Sequence, residues 1–235
     1  MKLSGIQMKV KLVSYSKPSR QYYDEGLVDA QDLIAFCARV SNPSNQFNSG
    51  TSEKLIKYLI NHKHWSPLEM VSACMEITTT RDIARQILRH RSFSFQEFSQ
   101  RYADPTKDLG FIVREARLQD PVNRQNSVPL DMINNDEHRQ IAYQWENLQR
   151  DIIKRTQDVY AWAIAKGIAK EQARAVLPEG MMESRLYMNG TLRSWIHFIE
   201  LRSANGTQKE HQEVALECAR VIAEIFPLAE TLVQK

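Results

Sequence analysis

The sequence is poor in cysteine, and its three thiols form no pattern. Cys37, Cys74 and Cys218 are an odd number and lie far apart. They suggest neither a disulfide framework nor a zinc-ligand set, which points to a reducing setting. Long apolar runs are also missing, since nothing approaches the ~20 residues that span a bilayer. No signal peptide is legible at the start. These absences lead us to expect a cytoplasmic protein with no membrane partner. No G-x-G-x-x-G follows a strand and no Walker sequence occurs, which argues against a Rossmann-type dinucleotide fold. Of the six histidines only His62 and His64 are close. No histidine pair shows the helical i, i+4 spacing with a glutamate beside it, so no metal is expected.

What is present is ordinary in bulk and unusual in one place. At 235 residues the chain can bury a proper core, and 43% hydrophobic with 25% charged residues fits a soluble protein. A net charge of +3 is too small to argue for nucleic acid or an anionic membrane. The basic residues divide into 18 arginines and 13 lysines. That excess suits bidentate recognition of phosphate or carboxylate.

Periodicity sets out the elements. Met8 to Tyr15 alternates as a strand, and Asp29 to Val40 carries a helical stripe of Leu33, Ile34, Cys37 and Val40. Ser52 to Asn61 reads as an amphipathic helix behind a serine or threonine cap. His62 to Met70 reads as a loop and Met70 to Thr79 as a β-branched strand. Thr80 is placed to cap a helix from Arg81 to His90, with Ile83, Ala84, Ile87 and Leu88 inward and Arg85, Gln86 and Arg89 on the other side. From Ala103 to Asn135 the chain is polar and irregular, with one strand expected at Phe111 to Arg114. A long helix follows from about Asp136 to Ala165, with Ile141, Trp145, Leu148, Ile152 and Val159 at helical spacing and Gly167 as its stop. Lys170 to Leu177 reads as a short helix and Ser184 to Met188 as a strand. Two helices complete the chain, Thr191 to Leu201 and Gln208 to Phe226. No repeat or linker is visible. The expected fold is α+β, a single domain over residues 1–235 with helices packed on a mainly antiparallel sheet.

The unusual place is Arg85 to Tyr102. Its eighteen residues hold four arginines, His90, three serines, Glu97, three phenylalanines and a terminal tyrosine. Guanidinium forks, hydroxyls and aromatic faces together are what a phosphate and a flat heterocycle require. A basic helix end favoured by the helix dipole would explain one or two of these charges. It does not explain Gln86, Glu97, Ser99 and Arg101 beside them. A single-stranded nucleic-acid track would use similar residues, but the net charge is low and no second basic patch extends it. Ser99 would need an adjacent base to act as a nucleophile, and His90 is nine residues away. It reads better as a binding residue.

The order Arg89-His90-Arg91, seven residues, Ser99 resembles the signature of the flavin-dependent thymidylate synthases. His64-Trp65-Ser66-Pro67-Leu68-Glu69, Ala84-Arg85-Gln86, Ala173 to Pro178, and Arg193, His197, Leu201-Arg202 resemble family segments in the same order. The likeness runs from about residue 30 to 227. It implies a homotetramer that binds FAD across subunit boundaries and reductively methylates dUMP to dTMP. Methylenetetrahydrofolate would be the carbon donor and NADPH the reductant. By the same resemblance, dUMP would meet Gln86, Ile87, Leu88, Arg89, Glu97, Phe98, Ser99, Gln100, Arg101, Arg174 and Arg202. FAD would meet Ser66, Arg89, His90, Arg91, Ser92, Glu97, Thr191, Leu192, Arg193 and His197. His64 would lie where folate or NADPH approaches. Arg202 matches the residue that activates the uracil, and a guanidinium there stabilises charge as C5 becomes nucleophilic. No cysteine sits after a proline, so no covalent enzyme–uracil bond is expected. Three features depart from the family pattern. Gln96 stands where asparagine is frequent, Gly206 stands where many members carry histidine, and Lys107 to Asn134 matches poorly.

Overall fold

The computed structural model describes residues 8–227. The chain opens with strand β1 (Lys9–Tyr15) and the short helix α1 (Arg20–Asp24). Helix α2 (Ala30–Ala38) starts at Asp29, whose carboxylate accepts the Asp32 N–H, as a good cap should. It stops before Val40, which is exposed rather than part of the buried stripe. Helix α3 (Ser52–Asn61) follows, and Thr51 stands at its cap position without a capping bond, its hydroxyl accepting from Arg39 at 2.7 Å instead. Strand β2 (Ser72–Thr80) runs directly into helix α4 (Arg81–Ile87). Thr80 caps α4 by position only, because its hydroxyl accepts from Arg114 at 2.6 Å. The helix also ends earlier than expected, leaving Leu88 half-buried outside it.

Strand β3 (Ser94–Glu97) lies within the arginine-rich stretch, where only site chemistry was legible. Helix α5 (Pro105–Asp108) and a hairpin of β4 (Arg117–Gln119) and β5 (Ser127–Pro129) occupy the irregular region. The strand expected at Phe111 to Arg114 is reduced to one bridge between Phe111 and Met182. Then come the thirty-residue α6 (Asp136–Ala165), the short α7 (Lys170–Ala173), strand β6 (Glu183–Thr191), α8 (Leu192–Ser203) and α9 (Lys209–Ala223).

The main sheet is antiparallel in the order β1-β2-β6-β3. Along the β2–β6 pair, Ala73, Met75 and Ile77 face Gly190, Met188 and Leu186, so the period of two delivers one continuous apolar face. Helices α8 and α9 cover that face with Trp195, Phe198, Val214 and Ile222, all buried. The Trp195 indole N–H is not orphaned by this burial, since it donates to the Ala73 carbonyl at 3.0 Å. Gly190 is required by close approach. A Cβ there would stand 2.4 Å from the ring of Phe93, which packs against the sheet from the signature stretch.

A smaller core gathers Phe111, Met182, Leu177 and Ala173 around Ile153, Tyr160 and Ala163 of α6. The bounds of α6 match expectation, but its apolar stripe does not face this core. Trp145, Leu148 and Ile152 are 43%, 58% and 47% exposed, while Gln149, Ile153, Thr156 and Tyr160 point inward. Tyr143 and Trp162 on the same helix are exposed as well.

Candidate active site

The turn between α4 and β3 carries five of the candidate residues, Leu88, Arg89, His90, Arg91 and Ser92. Its direction is fixed by Phe93, buried against Gly190, and by the Ser92 carbonyl, which accepts from the Ser194 hydroxyl at 3.2 Å. Arg89, Arg91 and Ser92 are thereby left exposed around a rigid corner.

Helix α4 separates two groups of polar side chains. On one flank, Arg81 and Arg85 reach Glu97 at 3.5 and 3.2 Å and Glu179 at 3.5 and 3.6 Å. Glu97 also accepts from the Ser184 hydroxyl at 2.8 Å. A hollow of about 360 Å³ beside these residues is lined by Gln100 and Arg174. Gln100 is buried, and its amide nitrogen has no hydrogen-bond partner. Arg101 pairs with Glu171 at 3.4 Å, and Arg174 donates to the Glu171 carbonyl at 3.3 Å. Phe98 is tied by its backbone N–H to the Arg185 carbonyl, and the Ser99 hydroxyl accepts the Arg101 N–H at 3.4 Å. No base contacts Ser99 among the described residues, which suits its reading as a binding residue.

On the other flank, Arg202 donates its Nε–H to His90 Nε2 at 2.9 Å. Burial, then the charges of Arg202 and Arg89, push the His90 pKa down to about 4. The imidazole is therefore neutral near pH 7 and keeps the lone pair that accepts from Arg202. His211 lies behind it, fully buried, with its pKa pushed to about 3 by burial, Arg202 and His90. Its Nδ1 meets Gln86 Oε1 at 3.2 Å. Gly206 sits in a left-handed turn at φ +89°, a backbone that histidine adopts only under strain. His211 does not stand in for a surface histidine at that position, since it supports Gln86 from within.

A third group lies at the start of α8. Arg193 pairs with Glu69, and the rings of His197 and Trp65 are 4.5 Å apart. Ser66 begins a turn of 3-10 helix beside them. The Thr191 hydroxyl caps α8 by accepting the Ser194 N–H at 3.3 Å. The His64 ring lies 6.2 Å from those of Tyr58 and His62. Two of the sequence-predicted contacts, Ile87 and Leu192, could be made only through the backbone. Ile87 and Leu192 have 0% exposure within the main core, so neither can offer its side chain to a ligand. A hollow of about 840 Å³ between the hairpin, Trp145 and the α8–α9 turn is lined by none of the predicted residues. Sequence reasoning also missed Gln208, Glu210 and Arg117, whose partners lie about 90 to 120 residues away. No local signal could reveal them.

An α+β fold that displays arginines beside one buried and one half-buried neutral imidazole suits the class of proteins that hold anionic heterocyclic ligands. The profile of the family described as "Thymidylate synthase complementing protein" matches residues 25–228. The chain is 46% identical over 220 residues to the "Probable flavin-dependent thymidylate synthase" of Paramecium bursaria Chlorella virus 1, covering 94% of this chain and 96% of that one. It is also 46% identical over 221 residues to the flavin-dependent thymidylate synthase of Synechocystis, with the same coverage. Among solved structures it is similar to a UMP/dUMP methylase, PolB of Streptomyces cacaoi, bound with 5-Br dUMP. That likeness has a TM-score of 0.76 at 25% identity and covers 99% of this chain and 96% of the other. The chain belongs to the flavin-dependent thymidylate synthase family.

The residues present fit a flavin dinucleotide. Its diphosphate needs cations, and Arg89 and Arg91 are exposed with no carboxylate partner among the described residues. Its rings need flat surfaces, which the Trp65–His197 pair supplies. Free arginines can neutralise a diphosphate without a glycine-rich loop.

Proposed function

We propose that this protein converts dUMP to dTMP, with FAD as cofactor and methylenetetrahydrofolate and NADPH as co-substrates. The observation that carries the reading is the Arg202–His90 contact at 2.9 Å. It joins the signature motif to the family's uracil-activating position across 112 residues. Bound flavin supplies hydride chemistry, and the side chains of Arg89, His90, Arg91, Arg193 and His197 would hold it. Arg202 spends its Nε–H on His90 and leaves its terminal nitrogens for the pyrimidine edge. Fixed there, its charge stabilises the electron density that builds as C5 attacks. Arg101, Arg174 and Ser99 suit the phosphate, in a region of their own.

No enzyme nucleophile is needed. Burial raises the thiols of Cys37, Cys74 and Cys218, so none is poised as a thiolate.

The protein acts as a homotetramer in this reading. Two observations support it. The phosphate-suited arginines have partners in common with one another and none with Arg202, as a site completed by a second chain would require. The exposed stripe of α6 has the 4,3 spacing of a helix that packs on another. A cytoplasmic location is consistent with the free cysteines, and among the described residues no helix is long and apolar enough to cross a membrane. The test is tritium release from C5-labelled dUMP by purified protein supplied with FAD, NADPH and methylenetetrahydrofolate. Absence of release, with FAD bound, would overturn the assignment.

A further inference from the structure

Gln86 is held in a chain of hydrogen bonds that can run in only one direction. Glu210 is 3% exposed and lies in the first turn of α9. Its Oε1 accepts from Arg117 of the β4–β5 hairpin, and its Oε2 accepts from Gln208 Nε2 at 2.9 Å. Gln208 Oε1 in turn accepts from Gln86 Nε2 at 2.8 Å. Gln86 Oε1 faces His211 Nδ1 at 3.2 Å. An ionised carboxylate can only accept, so Gln208 must turn its NH₂ toward Glu210. Its carbonyl then faces Gln86, which must answer with its own NH₂. The Gln86 carbonyl is left for His211, which must carry its proton on Nδ1. Flipping either amide would set oxygen against oxygen inside a low-dielectric site. Burial alone would raise the Glu210 pKa, but its own backbone N–H, Gln208 and Arg117 bring it below the usual value.

Valence counting gives the consequence. After these bonds Gln86 retains one N–H and one carbonyl lone pair. The direction of the chain decides which of the two lies on which side. A pyrimidine edge alternates acceptor and donor, so an amide of fixed orientation reads it and a freely flipping amide does not.

We propose that Glu210 is a positioning residue for the nucleotide base, acting through Gln208 to fix the amide of Gln86, and that Arg117 couples the hairpin to this chain. This rests on the reading of Gln86 as a dUMP contact. It also gives a role to the Lys107–Asn134 segment, which otherwise matches the family poorly.

The test measures dUMP binding to FAD-loaded protein by calorimetry, together with KM and kcat. The variants are Glu210→Gln and Gln208→Met, each in the wild-type and the Gln86→Ala background. Gln208→Met breaks the chain while leaving the Arg117–Glu210 pair intact, so it serves if Glu210→Gln does not fold. Each change should weaken dUMP binding about tenfold, the scale of one hydrogen bond. KM should rise accordingly while kcat holds within about threefold, since ground and transition states lose the contact alike. In the Gln86→Ala background neither change should weaken binding further. Weakening that persists undiminished without Gln86, or wild-type binding in both variants, would overturn the proposal. Failure of the wild-type protein itself to bind dUMP would instead bring down the functional reading on which it stands.

Discussion

Arg202 is half-buried, with a neutral histidine on its Nε and no carboxylate partner among the described residues. A guanidinium kept free of anions suits a charge that appears only during reaction, the role proposed for Arg202. Arg202→Ala is therefore expected to lower kcat by roughly 100-fold or more while dUMP affinity changes only a few-fold. Equal losses in both would mark it as a plain binding residue. The two histidines behind it make stability depend on pH. Their folded values, about 4 for His90 and about 3 for His211, lie below the unfolded value of about 6.5. As pH falls the unfolded chain takes up protons first, so this contribution is intact above about pH 6.5 and is lost toward the folded values. The loss is at most ~1.4 kcal/mol per pH unit for each histidine. Urea unfolding between pH 7 and pH 4 should show that decline, and His211→Gln should flatten it. An unchanged slope in the variant would mean that His211 does not titrate as its burial demands.

Strand β6 and the signature turn depend on each other through one missing side chain. Gly190→Ala would push a methyl group into Phe93, with ring carbons at 2.4 and 2.6 Å from the new Cβ. Such overpacking costs about 1–3 kcal/mol. The melting temperature should drop by several degrees, and Phe93→Leu in the same chain should recover part of it. No drop would show that Phe93 moves aside freely. How much of each element could be read from sequence follows from where its signal lies. The ends of α6 were legible because Asn135 caps it and Gly167 closes it at φ +77°. Its inward face was not, because the residues that satisfy periodicity best, Trp145, Leu148 and Ile152, are those left in water. Strand β3 was hidden because arginine and serine spacing dominates the stretch that contains it. Arg89, His90 and Arg202 were singled out through a family pattern, and folding sets Arg202 against His90 at 2.9 Å. Gln208, Glu210 and Arg117 were not, since their meaning lies in partners that only folding brings near.

For the whole molecule, the proposed homotetramer would cover the apolar stripe that α6 leaves exposed. Replacing Leu148 and Ile152 together by Asp should dissociate the assembly without unfolding the chain, since both side chains are largely exposed. Sedimentation would report the smaller species, and activity should fall with it. A dissociated species of full activity would sink the shared-site reading. The complementary experiment mixes two inactive variants, Arg174→Ala and Arg202→Ala, after reversible dissociation. Random reassembly of sites built from two chains should restore about a quarter of wild-type activity. None would return if each chain held a complete site.

Helix α4 gives such an assembly a mechanical property. It is seven residues long, two turns of rod, with Arg81 and Arg85 paired to Glu97 and Glu179 and Gln86 bonded to Gln208 and His211. In the proposed tetramer this short rod would stand behind both groups of polar side chains, so a substitution on its buried face, at Ile83 or Ala84, should disturb the two together.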